Sequence, residues 1–263
     1  MKLTATWRLG VPQLYAGLLL LAFLGQCVWR AEGRPLDGDE RAAIETGRWL
    51  WRGQPIPGDA AAPPLVELLA AAAAGSSSEK LAPRLPSVFF GLALGASIWY
   101  VARRLYGNAG GFMALALYCF APQAIARSAR VDPSALAAWG FFGVIFTAIG
   151  AVHTLHAPLA NRLWRALLLG LAIGLGTGAQ FFVALAVPAA LSFMLYLVPG
   201  RRVAAAALAA ASLGVGFSIL LAVYGLDPQA LAGGLRHAQW LGDRKSTRLN
   251  SSHIQKSRMP SSA

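Results

Sequence analysis

Apolar runs punctuated by arginine pairs leave this chain few folds to choose from. The runs cover roughly 11–28, 86–102, 110–125, 133–152, 166–179, 181–198 and 203–224. A bilayer core of about 30 Å takes about 20 helical residues. Backbone amides inside lipid must find their hydrogen bonds within the protein, which favours helices. The expected fold is therefore all-α: a multi-pass transmembrane bundle of about seven spans. The composition agrees, at 56% hydrophobic and 13% charged, where soluble domains carry roughly 25% charge. A net charge of +12 invites a nucleic-acid reading, but position argues against it. Arg103-Arg104 and Arg201-Arg202 stand at the ends of apolar runs, as basic residues of cytoplasmic loops do. Cys27 and Cys119 fall inside apolar runs, so neither a disulfide framework nor a metal site is expected. The first run leads into Val28-Trp29-Arg30 rather than a small-residue cleavage site, and reads as a retained anchor.

The C-terminal stretch breaks from this pattern. Asp243-Arg-Lys-Ser-Thr-Arg-Leu-Asn-Ser-Ser-His253 is spelled directly by a short-read sequencing adapter, and Ser257-Arg-Met-Pro-Ser-Ser-Ala263 by its continuation in frame. Residues 243–263 are therefore set apart as an adapter-derived, disordered tail. Residues 1–242 are expected to be the N-terminal part of a longer membrane domain.

Short loops orient the bundle. A cytoplasmic N-terminus puts Lys2 and Arg8, Arg103 and Arg104, Arg162 and Arg165, and Arg201 and Arg202 all inside. The opposite choice puts them all outside, so the positive-inside rule selects the first. The expected location is the inner (cytoplasmic) membrane. Eight of the 11 acidic residues then share one outer loop: Glu32, Asp37, Asp39, Glu40, Glu45, Asp59, Glu67 and Glu79. A polar break at Arg127, Arg130 and Asp132 faces the same side. Within the loop, 41–51 mixes Trp49 and Trp51 with arginines, which suits a helix in the headgroup zone. Residues 65–74, opened by Pro63-Pro64, read as a second interfacial or re-entrant helix. Glycines at helical spacing, Gly91/Gly95 and Gly170/Gly174/Gly176/Gly178, read as close helix packing rather than a nucleotide loop.

Several motifs then fall in order. Asp39-Glu40 follows the first span, Pro63-Pro64-Leu65 comes later in the loop, and Arg84-Leu-Pro-Ser87 opens the second span. Ala102-Arg-Arg-Leu-Tyr-Gly107 closes that span, Leu117-Tyr-Cys-Phe-Ala-Pro122 closes the third, and Arg130 and Asp132 precede the fourth. The set, over roughly residues 10–200, resembles the N-terminal half of GT-C membrane glycosyltransferases. It is most similar to bacterial relatives of protein O-mannosyltransferases and lipid A aminoarabinose transferases. The resemblance implies an inverting transfer of a hexosyl or pentosyl group from a polyprenyl-phosphate-linked donor to a lipid, glycan or protein acceptor on the outer face. It assigns catalysis to Asp39, with Asp132 also lining the site. Chemically, a carboxylate is needed to orient or deprotonate the acceptor, and Glu40 would assist. Arginines are needed to hold the departing phosphate, and Arg127 and Arg130 are placed for it by topology. Asp132 before Pro133 also suits a helix cap, Arg127 and Arg130 suit interfacial anchors, and Asp39-Glu40 alone would be an ordinary solvated pair.

Two positions depart from the resemblance. Ala62 stands where a lysine or histidine often precedes Pro-Pro-Leu, and Gln180 where a hairpin lysine is common. Asp37-Gly38-Asp39 has the shape of a metal-binding triplet. The nearest families do not generally depend on a divalent cation for catalysis, so no cofactor is expected, with a divalent metal at this triplet kept as the alternative. The partners are the donor lipid, the bilayer and an unknown acceptor. Alternatives are a polyprenyl-lipid transporter or flippase, or a noncatalytic scaffold. The first would expect ionisable residues within the spans, and almost none are present.

Overall fold

A computed structural model describes residues 10–54, 62–75 and 80–238, and all of its elements are helical. The expected adapter-derived tail, the early basic residues Lys2 and Arg8, and the acids Asp59 and Glu79 lie outside the described residues. In chain order the helices are α1 (Val11–Glu32), α2 (Gly38–Trp51), α3 (Leu65–Ala74), α4 (Leu85–Cys119), α5 (Pro122–Ser128), α6 (Ser134–His153), α7 (Leu159–Ala179), α8 (Ala186–Leu197), α9 (Arg202–Val223) and α10 (Pro228–His237). Among the described residues, five helical segments are long and apolar enough to cross a membrane: α1, α4 with the 3₁₀ turn before it, α6, α7 and α9. The chain is thus a multi-pass helical membrane protein.

One of the five is bent into two helical arms. At Gly107 the helical run of α4 breaks, with φ 72° and ψ −172°, a backbone geometry that glycine adopts without steric penalty. The chain reverses there. The Tyr118 hydroxyl donates to the Gly91 carbonyl at 2.8 Å, although a straight helix would hold those residues about 40 Å apart. A Cβ built on Gly111 would stand 2.9 Å from the Cβ of Arg103. The separate second and third spans expected from sequence are the two arms of this hairpin.

Three boundaries differ from expectation. The second arm was expected to run to Ile125 but stops at Cys119. Pro122 has no amide to donate, and Ala121 before it is extended (ψ 117°), so the chain restarts as α5. The fifth span was expected from Ala166 but α7 begins at Leu159. Arg162 and Arg165 are good helix formers, and hydropathy marks where lipid begins rather than where a helix does. The sixth run is broken into a 3₁₀ turn (Phe181–Leu185) followed by α8.

The apolar faces meet as the glycine spacing predicts. On α7, a Cβ at Gly174 would fall 2.7 Å from the Ile219 Cβ of α9, and one at Gly176 would fall 3.1 Å from the Gly140 Cα of α6. Small residues thus let α7 lie between two neighbours. The hydroxyls of Thr177 and Ser212 are absorbed by carbonyls one turn back, at 2.6 and 2.9 Å.

Alternating spans sort the helix ends into two sets. One end gathers Leu155, Met194 and Ala205, near the arginine-bearing connectors; there the Arg201 guanidinium donates to the Leu155 carbonyl at 3.1 Å. The other end gathers Leu65, Leu136, Phe181, Val223 and Tyr224, and α2 and α3 cover it. Those two short helices pack tightly: the Trp51 indole donates to the Leu68 carbonyl at 2.9 Å, and a Cβ on Gly47 would fall 2.7 Å from the Cβ of Ala71. The acidic segment and the 127–132 break therefore share one end of the bundle.

Candidate functional site

The site is organised by the first turn of α2. Asp37 and Glu40 form a reciprocal cap: the Asp37 carboxylate accepts from the Glu40 amide at 2.8 Å, and Glu40 accepts from the Asp37 amide at 3.2 Å. This arrangement satisfies two amides that a helix start leaves without partners. It also starts α2 at Gly38, three residues before the helix expected from Trp49 and Trp51. An acidic residue followed by glutamate three positions later is a legible cap signature. Sequence reading took Asp39-Glu40 here as the catalytic pair and noted the triplet shape of Asp37-Gly38-Asp39, but did not see the cap.

Glu40 does more than cap. Its side chain and that of Arg84 are each 2% exposed and form an ion pair, with Nε to Oε1 at 2.8 Å and Nη2 to Oε2 at 2.5 Å. Oε1 also accepts from the Val131 amide at 3.1 Å, so all four acceptor positions of the carboxylate are used. Arg84 is equally committed. Beyond Glu40 it donates to the carbonyls of Ala31, Arg34 and Pro35. Those contacts employ its five N–H donors and give partners to one carbonyl in the last turn of α1 and to two in the chain just after it. Burial would push the Glu40 carboxyl up. The Arg84 hydrogen bonds and charge and the amides of Val131 and Asp37 outweigh it, so its pKa is lowered.

Arg84 opens the Arg84-Leu-Pro-Ser87 motif, and the structure gives that motif two roles. Arg84 ties α1, α2 and α4 together. Buried Ser87 exchanges hydrogen bonds with the backbone of Asp132, at 3.3 Å in each direction. The strand of chain carrying Arg130, Val131 and Asp132 is thus held by two helices it does not belong to.

Around this sealed centre lie open charges. Arg130 pairs with Asp37 through Nη2 and Oδ2, with side chains 41% and 44% exposed. Asp132 Oδ1 accepts from the Ser134 amide at 2.7 Å, performing the expected cap at the start of α6. Arg127 is exposed and donates to the Ser134 hydroxyl at 2.6 Å. Asp39 is exposed in the first turn of α2 and has no side-chain partner among the described residues. Neighbours one and two positions away on a helix do not face each other, so neither ion pair draws Asp39 in.

The structure therefore brings Asp37, Glu40, Arg84, Arg130 and Asp132 into one network, with Arg127 at its rim and Asp39 free beside it. Ala62 and Gln180 sit at the same end, before α3 and after α7. Among the described residues no group of three or more Asp, Glu, His or Cys gathers as metal ligands would.

Glu67 contrasts with Glu40. Its Oε2 is buried with no hydrogen-bond partner among the described residues. Burial pushes its carboxyl pKa up. The nearby Tyr224 hydroxyl is buried and likewise without such a partner.

A bundle of lipid-length helices with its carboxylates gathered at one end is a membrane protein with a polar cluster outside its apolar spans. Residues 61–224 match the dolichyl-phosphate-mannose-protein mannosyltransferase family. The chain belongs to that family and is a helical membrane glycosyltransferase of the GT-C type. No curated protein and no solved structure matches it.

Proposed function

We propose that this end of the bundle transfers a sugar from a polyprenyl-phosphate-linked donor to an acceptor at the outer membrane face, with inversion. Asp39 is the acceptor-activating carboxylate. The observation that carries this reading is the contrast between adjacent residues: Glu40 is saturated and sealed, while Asp39, on the same turn, is exposed and has no side-chain partner among the described residues. A fixed backbone with a free carboxylate is what a positioned base requires. The role of Glu40 is to position: through Arg84 and Val131 it fixes both α2 and the connector bearing Arg130 and Asp132. Arg130 and Arg127 hold the donor's phosphate, which departs with its own negative charge and needs no strong acid. Asp132 shapes the same rim while capping α6. With the N-terminus cytoplasmic, this end lies outside, and the basic connectors lie inside.

The deciding experiment follows transfer of labelled sugar from a polyprenyl-phosphate donor in membranes. Asp39→Asn should abolish transfer while expression and membrane insertion stay normal. Undiminished transfer by that variant would remove Asp39 from the mechanism.

A further inference from the structure

Arg130 and Asp37 are both about half exposed, and each is anchored by its neighbours rather than by the other. The backbone next to Arg130 is pinned by the Val131 amide on buried Glu40, at 3.1 Å. Asp37 is pinned by its cap on the Glu40 amide, at 2.8 Å through Oδ1. Only Oδ2 meets Arg130. Breaking that one contact therefore unfastens no helix and leaves the cap intact. An exposed pair of this kind contributes little, while a phosphate offers a guanidinium two parallel charge-assisted hydrogen bonds.

We propose that Asp37 is an intramolecular stand-in for the donor's phosphate. Arg130 pairs with one or the other, and donor binding proceeds by exchange of anions on Arg130. This inference rests on the reading of Arg130 as a phosphate-holding residue. It adds that Asp37 competes with the donor and so sets its affinity. The exchange makes binding weaker than Arg130 alone would give, and it hands the arginine a new partner as the phosphate carrier leaves. Arg84 cannot serve in the same way, because all of its donors are committed in a sealed interior.

The test is calorimetric titration of the detergent-purified chain with farnesyl phosphate, a soluble polyprenyl monophosphate. Asp37→Asn keeps the cap, since asparagine caps as well as aspartate, but removes the competing charge. It should tighten binding about two- to fivefold, the range to which an exposed pair's contribution converts. Glu45→Gln removes an equal charge from an exposed position of α2 and should leave binding unchanged. Arg130→Gln should weaken binding, and Asp37→Asn added to it should then have no further effect. If Arg130→Gln weakens binding but Asp37→Asn does not tighten it, the exchange is overturned and the phosphate role of Arg130 stands. If Asp37→Asn still tightens binding without Arg130, or Glu45→Gln tightens it equally, the effect is general charge and the exchange is again overturned. If Arg130→Gln changes nothing, or farnesyl phosphate does not bind the unaltered chain, the phosphate role falls and the exchange falls with it.

Discussion

Two ion pairs meet at the start of α2, and they differ in almost every physical respect. Glu40–Arg84 is sealed, at 2% exposure on both sides, and every hydrogen-bonding position on both side chains is used. Asp37–Arg130 is open, at 44% and 41%, and is held by one contact. The first joins α1, α2, α4 and the Arg130 connector. The second joins two groups that are already fixed. A buried charge left without its partner is costly, whereas an exposed pair is worth little. One end of the bundle thus carries a sealed charge pair and an open one side by side, and burial is what distinguishes them.

That contrast can be broken experimentally. The largest effect is expected from Arg84→Met, which leaves Glu40 buried and uncompensated. It should destabilise the protein by about 3–5 kcal/mol, read as a fall in thermal unfolding temperature in detergent. Replacing both partners, as Glu40→Leu with Arg84→Met, should recover much of that loss, because a buried pair of similar volume is often replaceable by apolar groups. A double variant as unstable as the single one would show that the pair's geometry, not its uncompensated charge, is what matters.

Acid should act on the same pair. The folded pKa of Glu40 is lowered below its ordinary 4.5. Its ionised form therefore contributes stability that is fully present above about 4.5 and is lost as pH falls through the depressed folded value. Unfolding temperature should decline in that acid window, and the decline should be smaller in the Glu40/Arg84 double variant. Glu67 has the opposite sign. Its folded pKa is raised above 4.5 by burial, so its charge opposes folding once pH exceeds the unfolded value. Glu67→Gln should raise the unfolding temperature at neutral pH by a few degrees, and the gain should vanish near pH 4. The smallest effect is expected at the open pair. Arg130→Gln and Asp37→Asn should each alter stability by no more than about 1 kcal/mol. A loss as large as that of Arg84→Met would erase the distinction between the two pairs.

Sequence reading reached the class of fold because hydropathy acts locally. Each apolar run had to become a helix, and the spacing of Gly174 and Gly176 foretold the close approach of α6 and α9 to α7. It also gathered the right polar segments, since alternating spans carry Glu40, Arg84 and Asp132 to one end whatever their packing. Proline and arginine misled it at boundaries. Pro122 ended an arm early, and Arg162 lay inside a helix despite its charge.

That these polar residues share one end was legible in the sequence, but how they pair was not. Asp39 and Glu40 are adjacent carboxylates, and nothing in their identities says that one is solvated and the other buried. Nor does the sequence say that Arg84, 44 residues from Glu40, is its partner, because a motif names residues without naming what they touch. Composition and periodicity alone determined that this is a multi-pass helical membrane protein with most of its carboxylates at one end, because lipid forces every backbone amide to be satisfied within the helix. Only the tertiary structure decided which carboxylate is locked and which is free. Burial and hydrogen-bond saturation belong to the space between helices, and that space is not written in any one of them.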